Sequence, residues 1–203
     1  MTAAASQPDL FAAAPAPDLP EGFAWRPDVI SPAQERALAG QFARLPLAPF
    51  EFHGFQGRRR VLSFGWRYDY GQRRLHPSLE MPPFLLALRE IAAGVAALPA
   101  ARLQQGLVTE YSPGSAIGWH LDKPMFEDVV ALSFLSPALL RFRRRHEAGR
   151  AQGWDRRALE IPPRSAYLLR GPARREWQHS LPPVEALRYS VTFRSLVEGG
   201  QSG

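Results

Sequence analysis

His120 and Asp122 stand one residue apart at the end of the segment 110–122. In an extended chain successive side chains alternate faces, so a residue and its second neighbour project the same way. The pair could therefore grip one ion. Imidazole and carboxylate together suit a divalent ion such as iron(II), and a third facial ligand leaves positions open for oxygen and a co-substrate. The chain has no cysteine, which excludes a thiolate site and makes a distant histidine the natural third ligand. His146 lies in the charged run 143–149, unsuited to holding a ligand still. His179, between an aromatic stretch and Leu181, fits a strand end and is the better candidate, while His53 and His76 read as lone structural histidines. By itself His-x-Asp is a weak signal, and a hydrogen-bonded surface pair explains it as well.

A second chemical feature is the strand 188–194. Its alternation puts Arg188, Ser190, Thr192 and Arg194 on one face and Tyr189, Val191 and Phe193 on the other. Arginine forks match carboxylates bidentately, so two guanidiniums converging from this face suit a dicarboxylate co-substrate. The alternative is an exposed strand face with solvated arginines.

The elements that must position these groups are legible in outline. Ser31, Pro32 and Gln34 give an N-cap, a proline at N1 and a capping-box partner, so a helix starts here and runs to about Leu45. Phe84, Leu85, Leu88, Ile91, Ala92 and Val95 make one apolar stripe of a second helix. From Arg102 onward short strands are expected at 103–111, 129–135, 139–143, 158–161, 166–170 and 188–195, with 144–157 as a polar loop. The resulting fold class is α+β, with supporting N-terminal helices and a jelly-roll of strands.

At 203 residues, 45% hydrophobic and 22% charged, the chain suits one globular domain over about 21–198 rather than two. No apolar run is long enough for a membrane span, and the N-terminus lacks a secretory pattern, so a cytoplasmic location is expected. Residues 1–20 are rich in Ala and Pro and are expected to be disordered, and 199–203 form a short flexible C-terminus. The net charge of +6 is carried by arginine, Lys123 being the only lysine. Phosphate recognition and plain compositional bias both account for that excess.

The segment 53–76 interleaves Arg58, Arg59, Arg60, Arg67, Arg73 and Arg74 with Phe64, Trp66, Tyr68 and Tyr70. Aromatics among basic residues suit a surface that stacks bases and follows a phosphate backbone. A β-hairpin with core aromatics on one face accounts for the same pattern. In the tail, Gln7, Leu10 and Phe11 resemble the peptides by which bacterial repair and replication proteins dock on the sliding clamp, two apolar anchors beside a rim glutamine.

Together, the segment 109–114, the run 120–123, His179 and the strand 188–194 occur in the order and spacing of the AlkB-like iron(II)- and 2-oxoglutarate-dependent dioxygenases, which the chain resembles over about 22–197. The resemblance implies a double-stranded β-helix in which His120, Asp122 and His179 bind iron(II). It implies that Arg188 holds the distal carboxylate of 2-oxoglutarate, with Tyr111 donating a hydrogen bond and Arg194 near the metal-side end. Thr109 and Ser190 stand where the family has asparagines and would face the same co-substrate. Trp66 and Tyr68, with Arg67 and Trp119, would line the lid that receives the target base. The activity so implied is oxidative demethylation of N-alkylated bases in single-stranded DNA, consuming oxygen and 2-oxoglutarate and releasing succinate, carbon dioxide and formaldehyde. The same chemistry on RNA or protein, or a non-catalytic nucleic-acid-binding module, are the alternatives. A monomer is expected.

Overall fold

The computed structural model describes residues 18–52, 55–146 and 153–197. Gln7, Leu10, Phe11, His53 and the segment 199–203 lie outside the described residues.

The strands pair into two principal antiparallel sheets. In chain order they are β1 (Phe23–Arg26), β2 (Ala48–Phe52), β3 (Phe55–Phe64), β4 (Trp66–Asp69), β5 (Arg74–Pro77), β6 (Leu103–Tyr111), β7 (Ile117–His120), β8 (Phe126–Phe134), β9 (Ala138–Arg145), β10 (Trp154–Ile161), β11 (Ala166–Leu169), β12 (Gln178–Leu181) and β13 (Arg188–Leu196). The larger sheet runs β1-β11-β8-β13-β6-β3-β2, and the smaller runs β10-β9-β12-β7. From β6 to β13 the chain passes back and forth between the two sheets, with only β9 and β10 being consecutive strands of the same one, which is the winding of a jelly-roll. A separate hairpin joins β4 to β5.

Helices α1 (Pro32–Phe42) and α2 (Pro83–Ala96) cover one face of the large sheet. The α1 capping box is formed: the Gln34 amide donates to Ser31 Oγ at 3.2 Å and the Ser31 amide to Gln34 Oε1 at 2.8 Å. Such a cap contributes about 1 kcal/mol. The helix stops at Phe42, short of the expected Leu45, because Pro46 disfavours helical geometry in the residue before it. Leu85, Leu88 and Ala92 of α2 meet Val130, Leu132, Phe134, Tyr189, Val191 and Phe193 in a continuous core. A second core fills the space between the sheets, with Tyr111, Leu140, Phe142, Ile161 and Leu181.

β13 is the middle strand of the large sheet, flanked by β8 and β6. Its apolar face packs under the helices, as the alternation predicts. Its polar face is no exposed surface: Arg188, Ser190 and Thr192 are buried and look into the roll between the sheets. One expectation fails outright. The segment 144–157 is not simply a polar loop, since β9 continues to Arg145 and β10 begins at Trp154, with Trp154 opposite Arg145 in register. Arginine-rich sequence hides these strands because the guanidiniums lie against tryptophan rings and carboxylates on the sheet rather than in solvent. A short helix, α3 (Gly171–Arg175), follows β11 and was not foreseen.

Candidate iron and 2-oxoglutarate site

β7 and β12 pair so that His120 is directly opposite His179, and the rings lie 4.2 Å apart between centroids. Asp122 is two residues beyond, where β7 has ended. Its Oδ2 lies 3.5 Å from His179 Nε2, and its Oδ1 accepts a hydrogen bond from Arg194 Nε at 3.0 Å. The structure therefore brings the three expected ligands side by side. They are adjacent rather than converged: among the described residues no group of three or more His, Asp or Glu side chains is gathered about one point. The Asp122 carboxylate is turned onto Arg194 instead.

The protonation states fit a divalent cation. His120 Nδ1 lies 2.9 Å from the Gly118 carbonyl, which can only accept, so the proton sits on Nδ1 and the Nε2 lone pair is free. Burial holds His120 below the usual imidazole range, and burial with the neighbouring His120 takes His179 down to about 3, so both are neutral at pH 7. Burial, the largest single influence, works against ionisation of Asp122, but Arg194 together with His179, His120 and Arg174 more than offsets it and keeps the carboxyl well below its usual range. Two neutral imidazoles beside one carboxylate make a donor set that suits iron(II). The loop that carries Asp122 is fixed by Arg174, whose Nη2 donates to the carbonyls of Lys123 and, at 2.6 Å, Phe126.

Deeper in the same interior lies Arg188, only 2% exposed. Its Nε donates to Ser133 Oγ at 3.2 Å and its guanidinium lies 4.8 Å from the Tyr111 ring, yet Nη1 is buried without a partner. A buried cation with an unmet donor is a place where an anion fits. Tyr111 Oη and Ser190 Oγ are 3.4 Å apart beside it, and Thr109 is the cross-strand partner of Ser190. Arg194 Nη1 donates to Gln105 Oε1 at 2.8 Å, so Arg194 is committed to the Asp122 end. Arg188 and Arg194 therefore do separate work at the two ends of the strand.

The lid differs in detail from expectation. Tyr68 meets Tyr70 edge-on at 5.0 Å, and Lys123 Nζ stands 5.1 Å and 4.9 Å from the two rings. Because Lys123 directly follows Asp122, the aromatic pair is held over the ligand end of the site. Trp66 shares the Tyr68 face of β4 by alternation, whereas Arg67 is exposed and opposite His76. Trp119 does not join the lid. It neighbours His120 on β7 and so points to the other face, where Arg141 and Arg143 lie at 5.2 Å and 4.5 Å from its ring. The chain turns from β3 into β4 at Gly65, φ +70°, where an added Cβ would sit 2.1 Å from the Gln104 carbonyl oxygen.

Residues without an individual role in the sequence also belong here. Tyr167 is half-buried; desolvation raises its phenol well above the usual range, and Arg188, Tyr111, Asp122 and Arg194 all act on it electrostatically. Arg59 is placed among Tyr111, Tyr70 and Arg194, and its guanidinium lies 3.9 Å from the Phe50 ring. The lone lysine next to Asp122 was a signal for Lys123; nothing in the local pattern marks Tyr167.

The roll is a fold that recurs among known proteins. Residues 45–194 match the family model of the 2OG-Fe(II) oxygenase superfamily, and the chain belongs to that family. Its members use iron(II), 2-oxoglutarate and oxygen, so this is a dioxygenase.

Within the family the AlkB-like resemblance is upheld. A relative described as an alkylated DNA repair protein ALKBH8 homolog from Arabidopsis thaliana is 30% identical over 196 residues, covering 83% of this chain and 54% of its own length. An uncharacterized protein, L905, of Acanthamoeba polyphaga mimivirus is 29% identical over 107 residues, covering 46% of this chain and 49% of its own. The chain spans about half the length of these curated relatives. Among solved structures, OsALKBH1 superposes with a TM-score of 0.63 at 15% identity, covering 86% of this chain and 96% of that one. A Pseudomonas putida prolyl-4-hydroxylase gives 0.57 at 15% identity, over 87% of this chain and 93% of that one. These structural likenesses establish the shared jelly-roll fold.

Proposed function

We propose that the chain removes N-alkyl groups from bases in single-stranded nucleic acid, with His120, Asp122 and His179 as the iron(II) ligands. Arg188 binds the distal carboxylate of 2-oxoglutarate, assisted by Tyr111, and Ser190 and Thr109 shape the cavity around that end. The observation that carries the co-substrate assignment is the unpartnered Nη1 of a 2% exposed arginine in the same interior as the three ligands. With oxygen and 2-oxoglutarate, bound iron(II) supplies the oxidising power that hydroxylates an N-methyl carbon, which then leaves as formaldehyde while succinate and carbon dioxide form.

The protein's own groups bind and orient. Arg194 holds the Asp122 carboxylate, and the Gly118 carbonyl fixes the His120 tautomer. Tyr68, Tyr70 and Trp66 offer aromatic faces to a base, and Lys123 and Arg59 offer positive charge beside them. A base methylated on its pairing edge is already unpaired, so moving it under the lid is cheap. The basic-aromatic lid and the relative named for alkylated DNA repair support a nucleic-acid substrate.

The test is formaldehyde and succinate release with methylated single-stranded DNA, methylated RNA and methylated peptides, each with and without iron(II). Iron-dependent formaldehyde from the DNA is expected. Release from RNA alone or from peptides alone would replace the DNA reading, and a chain that binds nucleic acid without turnover would be a binding module.

A further inference from the structure

The arginines of β9 are divided between two environments. Cross-strand partners share a face, and His179, opposite both Phe142 and His120, marks the inner face of the smaller sheet. Arg141, Arg143 and Arg145 alternate with Phe142 and so look outward. Trp119, beside His120, shares that outer face with Arg156 and Trp154, the partners of Arg143 and Arg145. These groups converge. The Arg143 guanidinium is 4.5 Å from the Trp119 ring and 4.3 Å from the Trp154 ring, and Arg145 is 5.2 Å from Trp154. Between Trp119, Arg141, Arg143 and Arg156 runs an open groove of about 490 Å³.

The charges on this face are unbalanced. On the Phe142 side of the strands, Arg144 pairs with Glu176 and Asp155, and Arg157 with Asp18. By contrast, Arg141 donates to Ser180 Oγ at 3.2 Å and Arg143 to Gln178 Oε1 at 2.7 Å, both neutral acceptors. Among the described residues no carboxylate pairs with Arg141, Arg143, Arg145 or Arg156. Guanidiniums held on tryptophan rings are fixed in direction before any ligand arrives. Alternate residues repeat about every 6.8 Å along a strand, the scale of one nucleotide step in an extended single strand. Unneutralised arginines interleaved with large aromatics form a surface that follows a backbone and stacks bases without reading sequence.

We propose that this outer face binds the phosphodiester backbone of single-stranded nucleic acid outside the catalytic cavity. Arg141, Arg143, Arg145 and Arg156 meet phosphates, and Trp119 and Trp154 support bases. Because β7 is the edge strand of its sheet, a chain crossing that edge passes from Trp119 outside to His120 inside within one residue. The surface stands on its own geometry; its service to turnover rests on the dealkylation reading above.

The test compares the wild type with R141A/R143A and, as a milder single change at an exposed residue, R156A. Binding of an unmethylated oligothymidine of about 20 nucleotides is followed by anisotropy over a salt series, and turnover is followed on a methylated trinucleotide too short to span cavity and groove. The double variant should bind the oligothymidine about tenfold more weakly, with a salt slope shallower by about 1.4, roughly 0.7 for each lost phosphate contact. Trinucleotide turnover and the unfolding temperature should not change. Wild-type affinity and slope in the folded double variant would overturn the surface, as would equally tight binding of polyglutamate, which would make it a site for acidic peptide. If the double variant does not fold, R156A decides by the same criterion, with a slope loss of about 0.7. Loss of oligothymidine binding in a protein inactive on every methylated nucleic acid would uphold the surface and sink the dealkylation reading alone.

Discussion

Asp122 uses its two oxygens differently, one on Arg194 and the other toward His179, and that division separates what its removal does from what loss of a histidine does. His120→Ala should abolish formaldehyde release with an unfolding midpoint close to wild type, since the half-buried ring carries little of the core. Asp122→Ala should abolish release too and also destabilise the fold by about 3 kcal/mol, because the Arg194 charge is left in the interior without its partner. Circular dichroism with thermal melts, run beside the activity assay, distinguishes the two outcomes; full activity in the His120 variant would remove the metal assignment. At the other end of the strand, Arg188→Lys keeps the charge but loses the fork. The KM for 2-oxoglutarate should rise about tenfold or more, and an unchanged KM would show that the carboxylate is held elsewhere.

At the scale of elements, β3, β6 and β13 are tied by one polar chain. Arg60 Nη1 donates to Glu110 Oε1 at 3.3 Å, and Tyr189 Oη donates to Glu110 Oε2 at 2.9 Å. Burial first, then this hydrogen bond, pushes the Tyr189 phenol up to about 12. An unfolded tyrosine titrates near pH ~10, so between those values the folded state holds a proton that the unfolded state has lost. The resulting stability is complete below pH ~10 and is lost as pH rises through about 12. Tyr189→Phe should flatten the alkaline fall of stability in urea titrations over that window, and an identical slope would show that the phenol does not contribute. These elements also show what the sequence exposes. The central strand was readable because Tyr189, Val191 and Phe193 alternate with polar residues over its whole length, and α1 because Ser31, Pro32 and Gln34 spell a cap. By contrast β7 and β12 are four residues each, too short for any period to register, and they carry the two histidines. The outward turn of Trp119 was hidden for the same reason, and the β9-β10 hairpin because its sheet-bound arginines read as solvated charge.

For the molecule as a whole, the parts differ in how far they depend on the roll. The expected clamp peptide needs none of it. A peptide of residues 1–20 should bind a bacterial sliding clamp saturably and lose that binding when Leu10 and Phe11 are replaced by alanine; a flat titration would retire the idea. Both cores are built from apolar side chains and do not involve the His-Asp-His group, so the fold is expected to stand without an ion.

The anchoring of the Asp122 loop by Arg194 and Arg174 therefore bears on the life history of each protein copy. A chain whose ligand loop is already ordered can be emptied and refilled. Treatment with a chelator should leave the melting curve in place while activity vanishes, and fresh iron(II) should restore turnover without a refolding delay. A slow recovery on the refolding timescale would contradict this. Activity should then follow the supply of metal from moment to moment, with scarcity of iron expected to silence the existing stock and a return of iron to revive it.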